Sequence, residues 1–210
     1  TFCMASRGIQ ILFEGKTAHA SQPKTGLNPT QAIVQLTHFL NHSLDGFDFT
    51  SDTLATITHI QIGEPTFGIS PGQGEIRVTI RAEKNHDLEL LEKLIIEESE
   101  KLASSDKLAL SVAIHDSFSA TTNSASEVAT IQLSCENCGL PYKRMRVANQ
   151  WSEDFGLFLE RIDGAMFGIG AGKHCPDLHD PGYDFPDELI EIGSNFFWQL
   201  SHDIIKKATS

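Results

Sequence analysis

The stretch LATITHIQIGEPTFGISPGQGEIRVTIRA, residues 54–82, decides the fold of this chain. Residues 54–62 and 75–82 each alternate apolar and polar side chains with a period of two, which is the pattern of a half-buried β-strand. A connection rich in glycine and proline, residues 63–74, separates them. The stretch therefore predicts two strands of a sheet that is buried on one face.

Further elements flank this pair in a regular order. Residues 9–14 predict a strand, residues 87–102 an amphipathic helix and residues 107–115 a fourth strand. Between the first two strands the pattern predicts a helix with Asn28 as its N-cap and Pro29 as its first residue. The order strand, helix, strand, strand, helix, strand is that of the ferredoxin-like fold, a four-stranded antiparallel sheet with both helices on one face.

The residues after 117 have a different character. A polar stretch at 119–126 indicates a connection between domains. The pattern then predicts a helix at 126–138, a short strand at 144–147, a helix that begins at Ser152, a glycine-rich strand at 165–172 and a final helix at 187–207. These elements predict one part of an α/β layer structure.

Composition excludes several classes of protein. The chain has 210 residues, which fits one large domain or two small ones, and its net charge of -12 argues against nucleic acid or an anionic membrane as the main partner. No apolar run approaches the roughly 20 residues of a spanning helix, and no signal sequence opens the chain. Four cysteines are too few for a disulfide scaffold, so we expect a cytoplasmic protein with reduced cysteines. Because the first residue is Thr1, we expect a piece of a longer protein.

The segment LHDPGYDFPD, residues 178–187, has the composition of part of a metal site. It places His179 among three aspartates and a Pro-Gly turn, and a histidine beside carboxylates is typical of a zinc ligand with an orienting partner. Even an open catalytic zinc site needs about three protein ligands, and His174 is the only other plausible ligand nearby. We therefore expect the partners of His179 to lie elsewhere.

Three other motifs allow a plain structural interpretation as well as a functional one. His19, in GKTAHASQP at 15–23, is on a tight loop where a histidine is most often solvated, but its small neighbours leave the ring clear to donate to an oxyanion. WSEDF at 151–155 is explained by a well-capped helix. GIGAG at 168–172 could bring backbone close to a ligand, but it lacks the context of a dinucleotide site.

Together these motifs resemble the M20 family of metal-dependent amidohydrolases and peptidases, with its aminoacylase-like, hippurate hydrolase-like and auxin-conjugate hydrolase-like members. The matching pieces cover nearly the whole chain and are GKTAHASQP (15–23), SPG (70–72), EIRVTIR (75–81), WSEDF (151–155), GIGAG (168–172) and LHDPGYDFPD (178–187). The resemblance implies a two-domain enzyme with a dinuclear metal site. Residues 8–117 would be a ferredoxin-like lid that mediates dimerisation, and residues 1–7 and 118–210 part of the α/β catalytic domain.

The resemblance also implies roles for particular residues. His179 would be a metal ligand, and His19 would reach across a homodimer to polarise the scissile carbonyl in the other subunit. Arg81, Ser152 and Gly170 would bind substrate, Arg81 with a planar fork suited to a carboxylate. The implied cofactor is a pair of zinc ions, with manganese or cobalt as alternatives. The implied reaction is hydrolysis of an N-acyl amino acid or small peptide at its amide bond by a metal-activated water.

Two departures from the family's pattern shape this expectation. Gly68 stands where the family often has an asparagine that contacts substrate, so we expect a different substrate preference. The family's other metal ligands and its general-base glutamate precede the lid, so we expect the 210-residue chain alone to be inactive.

Two other interpretations compete with this one. The chain could be a non-catalytic dimerisation or binding module derived from the same family. It could instead be a redox protein that uses Cys135 and Cys138, although their C-x-x-C spacing lacks both a second pair for zinc and the strand that precedes such a motif in thioredoxins.

Overall fold

The computed structural model describes residues 1–209. Its strands are β1 (Ala5–Glu14), β2 (Ala18–His19), β3 (Thr53–Ile62), β4 (Ile69–Ser70), β5 (Gln73–Ala82) and β6 (Ala109–Phe118). Its α-helices are α1 (Thr30–His42), α2 (Asn85–Asp106), α3 (Ala125–Asn137), α4 (Phe155–Leu159) and α5 (Glu188–Ala208), and short 3-10 turns occupy Pro23–Thr25 and Leu44–Gly46.

Four long strands form one antiparallel sheet in the order β3-β5-β1-β6. Helices α1 and α2 pack on one face of this sheet, so the predicted ferredoxin-like, α+β arrangement is confirmed. Strands β1, β3 and β5 begin one to four residues before the predicted segments, whereas β6 begins two residues later and ends three residues later than predicted. Strand ends are where periodicity is least informative.

The alternation in the opening stretch is explained by the two faces of the sheet. The register pairs Ile9 with Val78 and Ile11 with Ile76, so these side chains meet on the helix face and are fully buried there. Burial of each such side chain contributes about 1.5–3 kcal/mol. The core is completed by apolar residues of both helices, namely Ile33, Leu36, Leu88, Leu91 and Ile95.

The other face of the sheet is polar. Glu75 accepts hydrogen bonds from Arg77 Nε and, at 3.1 Å, from Gln10 Nε2. The bond from Arg77 is the main reason that the pKa of Glu75 lies below its ordinary value, because it favours the charged carboxylate. Polar side chains at alternate positions therefore bond to one another on this face instead of entering the core.

The first helix begins one residue later than predicted. Thr30 is its first residue and Pro29 occupies the N-cap position. The Oδ1 of Asn28, one residue earlier, accepts hydrogen bonds from Thr30 N at 2.9 Å and Thr30 Oγ1 at 2.7 Å. The predicted N-cap is thus one residue too early, although Asn28 still bonds to the first residue of the helix.

A buried carboxylate ties the start of α2 to the segment before β3. Asp87, the third residue of α2, is fully buried and accepts hydrogen bonds from Thr50 N and Thr50 Oγ1, both at 3.0 Å, and from Ser51 Oγ. Burial alone would raise the pKa of Asp87, but the bonds from Ser51 and Thr50 outweigh that effect and hold the pKa below its ordinary value. The carboxylate is therefore kept charged, in a position where the helix dipole also favours it.

The chain divides into two compact units. The first contains residues 3–121 and 148–157 together with Thr1, and the second contains Phe2, residues 122–147 and the chain from Phe158 onward. In the second unit α3 packs against α5, and Asp203 accepts hydrogen bonds from Ser134 at 2.7 Å and from Gln199 at 3.0 Å. The bond from Ser134 is the main cause of a lowered pKa at Asp203.

Two predicted strands are wrong. Residues 144–147 and 165–172 have no regular secondary structure, because a strand needs a neighbour and neither segment pairs with another strand of the described chain. At Met166 a side chain takes the neighbour's place: Asn123 Oδ1 accepts from Met166 N at 2.9 Å, and Asn123 Nδ2 donates to Met166 O at 2.7 Å. The predicted helices at 126–138 and 187–207 are present, as α3 and α5.

No helix within residues 1–209 combines the length and the apolar character that crossing a bilayer requires.

We expect Asp87→Asn to lower the free energy of unfolding by about 1–3 kcal/mol at neutral pH, because the new amide donor would face hydroxyl and amide donors in a buried site. Urea denaturation measures this, with Glu89→Gln, an exposed carboxylate on the same helix, as the matched control.

The effect should also depend on pH. Because the folded pKa of Asp87 is lowered, the stability it contributes is present above about pH 4 and is lost as the pH falls through the folded value. The difference between the variant and the wild type should therefore shrink in acid, and a constant difference would contradict the assignment.

Candidate functional site

The loop that carries His19 is held against a second loop by a small two-stranded sheet. In this sheet β2 pairs with β4, so that Ala18 lies opposite Ser70 and His19 opposite Ile69. One residue further on, Ala20 N donates to Gly68 O at 3.0 Å. The structure therefore brings together two positions that the sequence separates by almost 50 residues, His19 and Gly68.

Glycines allow this close approach. Gly15 N donates to Gly72 O at 2.7 Å, which continues the pairing of β1 with β5 past the ends of both strands. A side-chain carbon on Gly72 would lie 2.5 Å from the backbone nitrogen of Thr17, and one on Gly15 would lie 2.1 Å from the carbonyl oxygen of Leu27. The motif glycines at 15 and 72 are therefore required by packing.

The imidazole of His19 is exposed at the surface of this pair of loops, and one of its nitrogens is engaged by a neighbour. Nδ1 lies 2.8 Å from Ser21 Oγ and accepts a hydrogen bond from Ser21 N at 3.2 Å. At Gly68 a side-chain carbon would meet no atom within 4 Å, so the space next to His19 is open.

Two predicted substrate-binding residues contact each other. Arg81 Nη1 donates to Ser152 Oγ at 3.1 Å and to Gln150 O at 2.8 Å. The Ser152 hydroxyl is therefore bonded to arginine and does not cap a helix, and α4 begins three residues later, at Phe155. The predicted helix start at Ser152 is thus wrong.

Further contacts attach the same segment to the sheet. Met4 N donates to Asn149 O at 3.0 Å, directly before the first residue of β1. The neighbouring Cys3 is buried, and burial is the main reason that its pKa is raised to about 11. Cys3 is therefore a neutral thiol with a packing role.

Arg81 and His19 lie at opposite ends of the central strands. Arg81 pairs with Ser6 near the beginning of β1, whereas the His19 loop follows Glu14 at its end. Eight residue steps of β-strand separate these two positions, a distance of about 26 Å. One small substrate therefore cannot contact both residues of the same protomer.

His179 lies in the second unit, in a loop of consecutive turns. Its φ of 72° is in the left-handed region, and the loop is held by Asp180 N donating to Asp177 O at 3.0 Å and by Gly182 N donating to Asp180 Oδ1 at 2.7 Å. The imidazole is exposed. The Asp180 carboxylate, next to His179 in sequence, thus braces the turn.

Gly170, also in the second unit, is exposed, and a side-chain carbon there would meet no atom within 4 Å. Its neighbour Gly172 has a φ of 93°, which L-residues rarely adopt. Within this motif, the position whose backbone requires glycine is therefore Gly172, which the sequence did not single out.

The described residues, 1–209, contain no group of three or more His, Cys, Asp or Glu side chains that could hold a metal ion. His179 is therefore not accompanied by the further ligands that a metal site needs.

The pKa of Cys135 is raised above its ordinary value. Burial is the main cause, and the neighbouring Cys138 is the second. A raised pKa disfavours the thiolate that a redox motif requires.

Comparison with known proteins gives a consistent picture. The family model of the peptidase dimerisation domain matches residues 5–107. Hippurate hydrolase of Campylobacter jejuni is 23% identical over 96% of this chain and 52% of its own length, and N-acetylcysteine deacetylase of Bacillus subtilis is 22% identical over 92% and 50%. The chain thus spans about half the length of the curated relatives it matches.

Among solved structures, a dinuclear metal-binding peptidase from the M20 family of Bacillus subtilis superposes with a TM-score of 0.73. The two chains are 16% identical, and the match covers 97% of this chain and 51% of the peptidase. At this identity the likeness concerns the fold.

We expect Arg81→Met to release the segment at 149–152, because methionine has no donor to replace the two bonds that Nη1 makes. The amide of Met4, which bonds to Asn149 O, should then exchange with solvent about 5–10-fold faster in a hydrogen-exchange experiment, as expected for bonds worth about 1 kcal/mol. Arg77→Met on the same strand is the matched control, since Arg77 bonds to Glu75 and not to the segment at 149–152. Equal exchange of Met4 in both variants would contradict this role.

Proposed function

We propose that this chain is part of a metal-dependent amidohydrolase. The premise is that it belongs to the M20 family through its dimerisation domain at residues 5–107. The proposed substrates are N-acyl amino acids or small peptides, cleaved at the amide bond. The two curated relatives act, by their names, on hippurate and on N-acetylcysteine, both N-acyl amino acids, and this shared chemistry supports the substrate class.

The observation that carries the proposal is the exposed His19 on a loop clamped by the β2–β4 pairing. A loop whose glycines are required by close packing presents its histidine in a defined position, as a group that contacts a reacting atom must be presented. A neutral imidazole N–H in this place would donate a hydrogen bond to the oxyanion that forms when water attacks an amide.

Two divalent ions, zinc in our proposal, would supply the activated water of this reaction. The described residues do not by themselves fit such a group, because they include no cluster of three ligands. His179 would contribute one ligand, and the others would come from outside these residues. Arg81, Ser152 and Gly170 are our proposed substrate-binding residues of one protomer, and His19 would reach the same substrate from the other protomer of the proposed dimer.

We also propose that the chain forms a homodimer through one edge of its sheet. Strand β3 is an edge strand with unpaired backbone groups, and α1 packs beside it. Apolar side chains are exposed on both elements, with Val34 on α1 54% exposed and Ile60 on β3 42% exposed. Pairing of two β3 strands about a two-fold axis would cover these side chains.

The open space at Gly68 supports a substrate preference different from that of members with an asparagine there. A glycine offers no side-chain amide to a substrate and leaves room beside His19 for a bulkier group. All four cysteines are free, which supports our proposal of a cytoplasmic location.

A non-catalytic dimerisation module is the second candidate. The absence of a three-ligand cluster from residues 1–209 favours it for the chain as it stands. The two candidates differ in what the intact gene product does.

We expect the 210-residue chain to show no turnover of N-acetyl or N-benzoyl amino acids, and the intact gene product to hydrolyse them until a chelator is added. In the intact protein, His19→Ala should lower kcat by about 100–1,000-fold, the usual cost of removing one oxyanion donor. His115→Ala, an exposed histidine on β6 at the opposite edge of the sheet, is the matched control. An intact protein without hydrolase activity would instead support the non-catalytic module.

We expect Ile60→Lys to shift the dimer to monomers, because charges would face each other across the paired β3 strands. Ile114→Lys is the matched control: Ile114 is 41% exposed on β6, the opposite edge of the sheet, and should leave the dimer intact. Sedimentation equilibrium measures both. A monomeric wild type at high concentration, or equal effects of the two variants, would rule out this interface.

A further inference from the structure

We propose that Ser21 is a positioning residue that holds His19 in the tautomer with its proton on Nε2. The bond that does so is the one between the Ser21 hydroxyl and His19 Nδ1. The assignment of the tautomer rests on the geometry of the loop alone. Its catalytic meaning rests on the proposed function.

The backbone of Ser21 identifies the protonation state of Nδ1. Ser21 N lies 3.2 Å from His19 Nδ1, with its hydrogen directed at that nitrogen. A backbone N–H can only donate, so Nδ1 must accept and carries no proton. In a neutral imidazole the proton is then on Nε2.

The hydroxyl of Ser21 strengthens the same preference. A hydroxyl can donate or accept, and its oxygen lies 2.8 Å from Nδ1. Because Nδ1 is an acceptor, the hydroxyl donates to it. One residue thus directs two donors at one nitrogen, and the hydroxyl makes the shorter contact.

Backbone hydrogen bonds keep Ser21 in this place although the loop is exposed. Gln22 N donates to His19 O at 2.8 Å, which closes a turn around Ser21, and Ala20 N donates to Gly68 O at 3.0 Å. Both bonds are independent of the serine side chain. A substitution at Ser21 should therefore change the imidazole and leave the loop in position.

The tautomer decides what His19 offers to a ligand. With Nδ1 occupied inside the loop, Nε2 on the far side of the ring presents an N–H. An oxyanion needs such a donor, whereas the opposite tautomer would present a lone pair and repel it. Ser21 would therefore determine whether His19 can stabilise negative charge.

The chain contains a histidine with the opposite tautomer, which provides an internal control. His202 Nδ1 lies 2.9 Å from Trp198 O. A carbonyl oxygen can only accept, so Nδ1 of His202 must carry the proton. The two histidines should therefore give opposite patterns in one spectrum.

The test is a long-range 1H–15N correlation spectrum of the full chain labelled at histidine, recorded at about pH 8. We expect the proton of His19 on Nε2 and that of His202 on Nδ1. In Ser21→Ala the tautomer ratio of His19 should change about fivefold toward Nδ1–H, as expected from the loss of a bond worth about 1 kcal/mol, and its Nδ1 resonance should move toward that of an unbonded nitrogen. Ser21→Thr should restore both, and an unchanged His202 signal verifies the fold.

A wild-type His19 with its proton on Nδ1, or a Ser21→Ala spectrum identical to that of the wild type, would overturn the proposal. In the intact protein, Ser21→Ala should lower kcat, with KM unchanged, in proportion to the fraction of His19 that loses its Nε2 proton, which is at most about fivefold. The tautomer is measured whether or not the protein hydrolyses anything, so failure of this inference and failure of the proposed function are distinguished.

Discussion

The pairing of β1 with β5 at the centre of the sheet is the constraint on which the rest of the first unit depends. Its register places Ile9, Ile11, Ile76 and Val78 on the helix face, where they form the core with α1 and α2. Past the last paired residues the Gly15–Gly72 hydrogen bond continues the same alignment into the two loops. A shift of one residue in this register would exchange the two faces of the sheet and separate the loops that meet at His19.

The fold of the first unit could be predicted because the patterns that specify its strands and helices lie within short stretches of sequence. A period of two in residues 54–62 and 75–82 follows directly from one buried and one solvated sheet face, and Asn28 signals a helix start whatever the helix packs on. The resemblance to the M20 family, drawn from short motifs, is likewise confirmed by the comparisons. The strands predicted at 144–147 and 165–172 are absent because a strand depends on its neighbour, and periodicity carries no information about the neighbour.

The sequence predicts the individual residues of the candidate site, but it does not predict how they are arranged in space. The sequence indicates His19 as a donor, but it does not show that the loop around Gly68 lies beside it, because that contact joins positions almost 50 residues apart. The sequence gives no reason to select Ser21, because a serine two residues after a histidine is common. Only the structure shows that its hydroxyl and its backbone amide both lie at His19 Nδ1. Similarly, Ser152 reads as a helix cap in sequence, and only the fold reveals the arginine that uses its hydroxyl.

The length of β1 has a consequence for how mutations combine. Sites more than about 7–10 Å apart with no shared partners have additive effects on free energy, and Ser6 and Glu14, near the two ends of β1, are about 26 Å apart. Substitutions around His19 and substitutions around Arg81 should therefore be free of epistasis within one protomer. The two ends can diverge independently during evolution, whereas the strand residues between them remain coupled through the core that they share.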